Sequence, residues 1–392
     1  MTDTIDHIAI CAYVFKPFAE HKCPGQIALG LADIGIQADI IALKKVELEN
    51  YIAPFKLIQA TNSDLTNSNF WKQQKVEAVL YYFAHPSHEK ILRAIKQSGK
   101  YIIIKLDSDG KLFYPTHNIS LPRFRANGPL KTLLRFIKWH IYPINKYFAH
   151  QIIRQLKLAN AIIIESDQAL KNLSDTLRYW GAEEILSQLH QIPNPITPDF
   201  ITSNVPNNEH KKDSIVCVGR WEDISQKNTV VMMNVLKAFL IDHPKYLVTI
   251  IGSGKHLLNN LLKNFPPDSK KRVTIAGEIE HSQVKKHLLE AKIFFMPSQY
   301  EGLTIAGSEA VAMGCSMVGT PIAAAQYLAN NGSSGTVAHN FSMQSLLKAL
   351  CTDADKWQNG YYQARTIAMF WRDKLDRKKI AADIKALLLT RI

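Results

Sequence analysis

The sequence predicts an α/β protein in two halves, each a parallel sheet covered on both faces by helices. Three observations predict it. Apolar runs of strand length, such as "YIII" at 101–104 and "AIII" at 161–164, alternate with stretches of helical spacing almost throughout. A break rich in proline and asparagine, "IPNPITPDFITSNVPNNEHKKD", fills 192–213. After it the alternation restarts. Strands that are apolar on both faces and separated by helices belong to parallel sheets buried on both sides.

The elements follow in order. "HIAICAYVF" is a strand, "GQIALGLADIG" (25–35) a helix and "QADIIAL" a strand. "EAVLYYFA" (77–84), "YIIIKL" (101–106) and "AIIIES" (161–166) are strands, with a helix over 88–98. Pro143 divides the stretch 130–158 into two helices. The break at 192–213 reads as a loop or linker. Beyond it "SIVCVG" and "YLVTIIGSG" are strands, with a helix over roughly 227–242 between them. "RVTIAGE" is a strand, 282–291 a helix, "KIFFMP" a strand, 305–314 a helix and "SMVGT" a strand. The stretch 374–390 is basic, then apolar at helical spacing.

A chain of 392 residues suits two domains of ordinary size. Its 46% hydrophobic and 21% charged residues exclude a disordered protein, and no apolar run approaches a membrane span. Asp3 and Asp6 stand where a secretory leader carries basic residues, so a cytosolic protein beginning with a strand is expected. The five cysteines (11, 23, 217, 315, 351) are scattered without a CxxC pair. Cys11, Cys217 and Cys315 lie in or beside apolar runs and read as small core residues rather than a disulfide framework or zinc site.

The net charge of +13 is unevenly spread. From Lys111 to Ile164 there is no acidic residue, while Arg123, Arg125, Lys131, Arg135, Lys138, Lys146, Arg154 and Lys157 are basic. Such a field attracts a polyanion, an anionic membrane face or an anionic acceptor. A solvated basic face near an anionic ligand is the plainer alternative. The part 120–142, with Trp139, suits an amphipathic helix on an anionic membrane surface. It suits equally a helix packed on the sheet with snorkelling Lys and Arg stems. For 144–158 the packed helix is favoured. No nucleic-acid-binding motif is visible, so nucleic acid is not an expected partner.

In parallel sheets ligands sit at the carboxyl ends of the strands, and three stretches put polar groups there. In "VGRWEDISQKN", Gly219 and Arg220 leave a strand and Lys227 begins the next helix. Arg forks onto phosphate oxygens and Lys supplies a point charge, a combination that suits a diphosphate. "IIGSG" is a glycine turn that lets backbone come close. In "MPSQYEGLTIAGSEAVAMG" (296–314), Gly302, Leu303 and Thr304 lead into a helix N-terminus, whose free N–H groups and dipole favour an anion. Glu301 and Glu309 flank this turn. A carboxylate accepts hydrogen bonds from two neighbouring hydroxyls, as on a ribose or sugar ring. Glu309 shares a face with Ala306 and Met313 that should point inward, where a carboxylate must be paired or bonded. The other reading is structural: Glu301 caps the helix and Glu309 pairs with a core arginine. The two acids alone leave both readings open. No acidic cluster of the DxD kind sits at a strand end in the second half, so no metal is expected.

Taken in order, "VGRWEDISQKN", "IIGSG" and "AGEIEHSQVKKHLLEAKIFFMPSQYEGLTIAGSEAVAMGCSMVGT" resemble the second domain of the GT-B-fold glycosyltransferases of family 4 (group 1). "ANAIIIESDQALKNLSDTLRYWGAEEILSQLHQIPNPITPDF" (159–200) resembles the close of that family's first domain. The resemblance is strong over roughly 159–325. It implies two Rossmann-like domains facing each other across a cleft. Residues 1–195 would form the acceptor-side domain, 196–213 the linker, 214–372 the nucleotide-sugar-binding domain and 373–392 a helix returning to the first domain. It implies retaining transfer of a sugar from a UDP- or GDP-sugar co-substrate to a glycan or lipid-linked acceptor, with no tightly bound cofactor. Cell-surface polysaccharide or glycolipid synthesis, in the cytoplasm or at the inner membrane face, is the implied setting.

Position by position, the resemblance implies that Arg220 and Lys227, beside Gly219, hold the donor's diphosphate. Glu301 matches the first Glu, near the transferred sugar, so Glu301, Arg220 and Lys227 are the implied catalytic set. Gly302, Leu303 and Thr304 match the loop that gives N–H groups to the phosphates. Glu309 matches the Glu that bonds the ribose hydroxyls, and Gly277, Glu278 and Ile279 fall where the family contacts the base. Gly25 matches a glycine of the first-domain loop facing the diphosphate. Two departures stand out. "KCPGQ" occupies the place of two adjacent glycines, and Leu106, followed by Asp107 and Asp109, stands where the family often has a histidine. Either Asp could take a sugar hydroxyl, but a plain turn is the favoured reading of "DSDG". His85, after another first-domain strand, is an acceptor-side candidate. The alternatives to a transferase are a degenerate GT-B protein that binds nucleotide or glycan, and a GT-B phosphorylase or epimerase.

Overall fold

A computed structural model describes residues 6–14, 22–44, 54–82, 88–111 and 129–389. The chain divides into two compact units. The first comprises Met1–Pro115, Phe136–Pro198 and Lys374–Ile392, the second Thr116–Arg135 and Asp199–Asp373.

Among the described residues the first unit holds seven strands: β1 (His7–Val14), β2 (Gln37–Lys44), β3 (Leu57–Gln59), β4 (Ala78–Tyr82), β5 (Tyr101–Leu106), β6 (Ala161–Ile164) and β7 (Leu189–Gln191). They pair in the order β3-β2-β1-β4-β5-β6-β7, every pair parallel. The runs "YIIIKL" and "AIII" are buried along their whole length, as central strands covered on both faces must be. Pro143 sits in the first turn of the helix Tyr142–Leu156, which follows the helix Pro129–His140. Proline is tolerated there because the first helical N–H has no intrahelical acceptor.

The stretch 374–390 resolves into the end of one helix, Ala364–Leu375, and a second, Arg377–Leu389. The second lies in the first unit, against the helix Cys23–Asp33. Its Ile380, Ile384 and Leu388 share a core with Ile8, Ile27, Leu31 and Ile103. The two helices meet closely at Gly30, where an added Cβ would lie 2.4 Å from the Arg377 carbonyl oxygen. Arg377 then forks onto the Asp33 carboxylate at 2.7 and 3.3 Å.

Lys105 interrupts the apolar run of β5 and is buried against Glu165 at 3.1 Å. The Asn194 amide donates to the same Glu165 oxygen, Cys23 donates to Asn194 at 2.8 Å, and the Tyr82 hydroxyl donates to the Cys23 sulfur at 3.0 Å. Burial pushes the Cys23 thiol up to about 12, which keeps it neutral and able to donate.

The second unit holds β8 (Lys212–Val218), β9 (Leu247–Ile251), β10 (Val273–Gly277), β11 (Ala291–Met296), β12 (Ser316–Gly319) and β13 (Gly335–Val337). Their order is β10-β9-β8-β11-β12-β13, again all parallel. The order reverses between β8 and β11, and the crevice at their carboxyl ends is where ligands bind in open α/β sheets. The expected loop at 192–213 contains a short helix, Pro198–Thr202, and a 3-10 turn, Asn208–His210.

Lys211, just before β8, is buried, and its ammonium gathers three carbonyls. Leu288 lies at 3.3 Å, Ala291 at 2.8 Å and Met313 at 2.8 Å. On the helix Met343–Gln358, Asp353 is fully buried and accepts from Thr336 and Tyr362 at 2.8 Å each and from Ser316. Burial raises its carboxyl to about 6 against these donors, which pull it down.

Two outcomes are expected. Lys211→Met leaves buried carbonyls without their donor and should cost about 3 kcal/mol in chemical denaturation; an unchanged midpoint would contradict the staple. For Asp353 the folded pKa lies above the unfolded one. Its stabilising contribution is therefore complete below the ordinary aspartate range and lost as pH rises through about 6. Asp353→Asn should flatten that part of the melting-temperature profile, as differential scanning calorimetry across pH can read.

Candidate functional site

The loop after β8 is built on a buried tryptophan. Trp221 donates its indole N–H to the Ile251 carbonyl at 2.9 Å, and its own carbonyl accepts from the Thr229 hydroxyl at 2.7 Å. The loop packs directly on the turn after β9. Gly252 there has φ +116°, and a Cβ on it would lie 1.9 Å from the Gly219 oxygen, so the two strand ends approach only because this residue is glycine. Arg220 is exposed on this loop, and Ser253 donates to both Glu222 oxygens at 2.6 Å. That bond and, more weakly, the Arg220 charge hold the Glu222 carboxyl below its ordinary value.

Lys227 does not begin the long helix. It ends a separate turn, Ile224–Lys227, because Asn228 adopts a left-handed conformation (φ 55°) before the helix Thr229–Asp242. This break turns Lys227 across the crevice to the end of β11, where its ammonium forms an ion pair with Glu301. Glu301 also accepts from Ser298 at 2.9 Å and from the Gln226 amide at 3.2 Å. The backbone N–H of Gln299 donates to the Gln226 carbonyl at 2.7 Å, so the two loops are tied together around the pair.

The capping role considered for Glu301 is therefore not the one it plays. Thr304 is the N-cap of the helix Ile305–Ala312, and its side chain makes no capping bond. Gly302 and Thr304 are half-buried and Leu303 is buried at this helix start. Glu309 is buried one turn inside the helix, as its sequence position suggested, but its partner is His281 rather than an arginine. Nε2 of His281 lies 2.8 Å from the Glu309 carboxylate, and this bond raises the histidine pKa. Gly277 closes β10 with φ +77° and accepts from the Gly252 N–H at 2.7 Å. Glu278 is exposed and Ile279 half-buried beyond it. Arg220, Lys227, Gly277 to Ile279, Glu301 to Thr304 and Glu309 thus all stand at the carboxyl ends of β8, β10 and β11 or on the helices that follow. A basic pair, an uncapped helix start and two bonded carboxylates are groups with the chemistry to bind phosphate oxygens and hydroxyls.

In the first unit the candidates are placed differently. Gly25, expected to open the helix, lies buried in the first turn of the helix Cys23–Asp33, which begins two residues earlier with Pro24 in that turn. Asp109 closes a turn: its carboxylate accepts from the Lys111 N–H at 3.2 Å, and its carbonyl accepts from Asn172 at 2.8 Å. Asp107 is exposed. His85 and residues 120–128 of the basic stretch lie outside the described residues. Sequence reasoning missed His281, Gln226 and Ser298. Their partners are distant along the chain or set by loop geometry, and no periodic pattern marks them.

Known proteins share the fold and a segment of the second unit. Residues 212–353 match the family described as glycosyl transferases group 1. No curated protein matches the chain. Among solved structures, Alr3699/HepE of Anabaena in complex with UDP has a TM-score of 0.70 at 13% identity, over 99% of this chain and 100% of its own. Sucrose-phosphate synthase of Thermosynechococcus elongatus has a TM-score of 0.66 at 13% identity, over 98% of each chain. WaaG, a glycosyltransferase involved in lipopolysaccharide biosynthesis, has a TM-score of 0.61 at 16% identity, over 96% of this chain and 98% of its own. Two parallel-sheet units in these strand orders, with the family match on the second, give the chain the GT-B fold and make residues 212–353 a group 1 glycosyltransferase domain.

Proposed function

We propose that the protein is a retaining glycosyltransferase that moves a sugar from a nucleotide-diphosphate donor to a glycan or lipid-linked acceptor. The observation that carries this reading is the meeting of Lys227 and Glu301 across the crevice between β8 and β11, with Arg220 and Glu309 on the same sheet end. The diphosphate lies against Arg220, Lys227 and the N–H groups that open the helix Ile305–Ala312. Glu309 receives the ribose hydroxyls and Glu301 a hydroxyl of the transferred sugar. As the bond from the anomeric carbon to the β-phosphate oxygen breaks, charge grows on that oxygen. Cations and N–H dipoles already in place stabilise it without reorganising. UDP is the first base to test, because the Anabaena neighbour was solved with UDP and with UDP-glucose.

The acceptor side includes a membrane surface. Among the described residues no helix is long and apolar enough to cross a membrane. The helix Pro129–His140 nevertheless exposes Leu130, at 68%, together with Leu133 and Leu134, beside the exposed Lys131. Apolar residues at this spacing, flanked by lysine, suit the headgroup region of an anionic bilayer.

Two experiments test the reading. In a thermal-shift panel of UDP, GDP and ADP, a ligand at about a hundred times its Kd should add about 2.7 kcal/mol to the folded state. Calorimetry on Arg220→Ala and Lys227→Ala should show affinity for that nucleotide reduced by about 1.5 kcal/mol or more each. Undiminished affinity in both variants would remove the basic pair from the site. Separately, the protein should float with anionic liposomes and not with neutral ones, and Leu133→Asp with Lys131→Glu should abolish flotation. A wild type that stays at the bottom of the gradient would leave the helix without a membrane role.

A further inference from the structure

Glu309 and His281 form a unit whose two members are unequally exposed. The Glu309 side chain is 4% exposed and that of His281 40%, so the imidazole stands between the carboxylate and solvent. The ring also packs against Phe200, centroid to centroid 5.0 Å at 44°. Its Nε2 is fixed 2.8 Å from Oε1 of Glu309. A carboxylate offers about four acceptor positions, more than a single bond to histidine can occupy. The same bond restricts which way the carboxylate is turned.

We propose that His281 is a positioning residue for nucleotide recognition. It holds the Glu309 carboxylate in the orientation that receives both ribose hydroxyls, and so sets the preference for ribonucleotides over 2′-deoxyribonucleotides. The inference rests on the reading that Glu309 takes the ribose. Its chemistry is that of a charge-assisted clamp. The charged groups acting on His281 include Glu309 from its own buried helix, Asp199 from the helix Pro198–Thr202, and Lys285 one turn along the helix His281–Glu290. The Glu309 bond, with the charges of Glu309 and Asp199 behind it, outweighs burial and Lys285, and the imidazolium is favoured. As pH rises and that proton is lost, the ion pair gives way to a single bond from a neutral imidazole, and the carboxylate is held less firmly. The ribonucleotide preference therefore declines toward alkaline pH.

The test is titration calorimetry with UDP, GDP, their 2′-deoxy counterparts and inorganic pyrophosphate. It is run on wild type, His281→Ala, His281→Gln and Glu309→Gln. His281→Ala should lower the ratio of ribo- to deoxynucleotide affinity by about tenfold and leave pyrophosphate binding unchanged, which also reports that the variant is folded. His281→Gln, whose amide N–H can stand in for Nε2–H, should restore most of the ratio and remove its dependence on pH. A ratio unmoved in His281→Ala but lost in Glu309→Gln would overturn the role of His281 and leave the ribose reading standing. Tighter ribonucleotide binding by His281→Ala would also overturn it, since the histidine would then be a competitor for the carboxylate. A ratio unmoved by Glu309→Gln, or no nucleotide binding by wild type, would overturn both.

Discussion

One buried ammonium holds the second unit in register. Lys211 stands at the amino end of β8 and bonds carbonyls from the tail of the helix His281–Glu290, the first residue of β11 and the turn after the helix Ile305–Ala312. Burial holds this ammonium below the usual lysine range, and bonds from a charged donor offset that cost. The two helices fastened at this pole are those that carry His281 and Glu309, and the strand between them delivers Glu301. A single cation at one end of the sheet thereby fixes the distances at the other, about one strand length away.

At the other end of the sheet the charges are paired. Glu301 meets Lys227, Ser298 and Gln226, and Glu309 meets His281. Both carboxylates are little exposed, and burying such groups is costly without partners of this kind. A ligand rich in hydroxyls and phosphate oxygens suits this arrangement because it adds donors to the carboxylates and acceptors to the lysine. The uncapped start of the helix Ile305–Ala312 supplies further N–H groups. Binding then adds to a network already oriented, which is how a site avoids reorganisation during reaction.

Much of this was legible in the sequence, for physical reasons that differ by element. β5, β6 and β11 announce themselves because strands buried on both faces must be continuously apolar. The order of "VGRWEDISQKN", "IIGSG" and "PSQYEGL" marked the sheet end that carries Arg220, Lys227, Glu301 and Glu309. The short strands β3, β7 and β13 were missed because three residues are too few to establish a period. Lys227 was placed on the wrong helix, since nothing local signals that Asn228 will turn left-handed. The helix predicted from Gly25 begins two residues earlier, at Cys23, because Pro24 is suited to a first helical turn. The partners of Glu309 and Lys211 were invisible for a further reason. His281 is 28 residues from Glu309, and the carbonyls on Lys211 are 77 to 102 residues away from it. Pairings of this range follow from the completed fold and leave no pattern in the chain.

The helix Arg377–Leu389 completes the core of the first unit, yet it is encoded after the whole of the second. On the ribosome the sheet of β1 to β7 can assemble early, but the groove that receives Ile380, Ile384 and Leu388 stays open while the residues of the second unit emerge. The first unit therefore reaches its final stability last, although most of it is made first. A message cut short within the last helix would damage the half of the protein that was synthesised first. The exposed groove would offer chaperones a marker of unfinished synthesis.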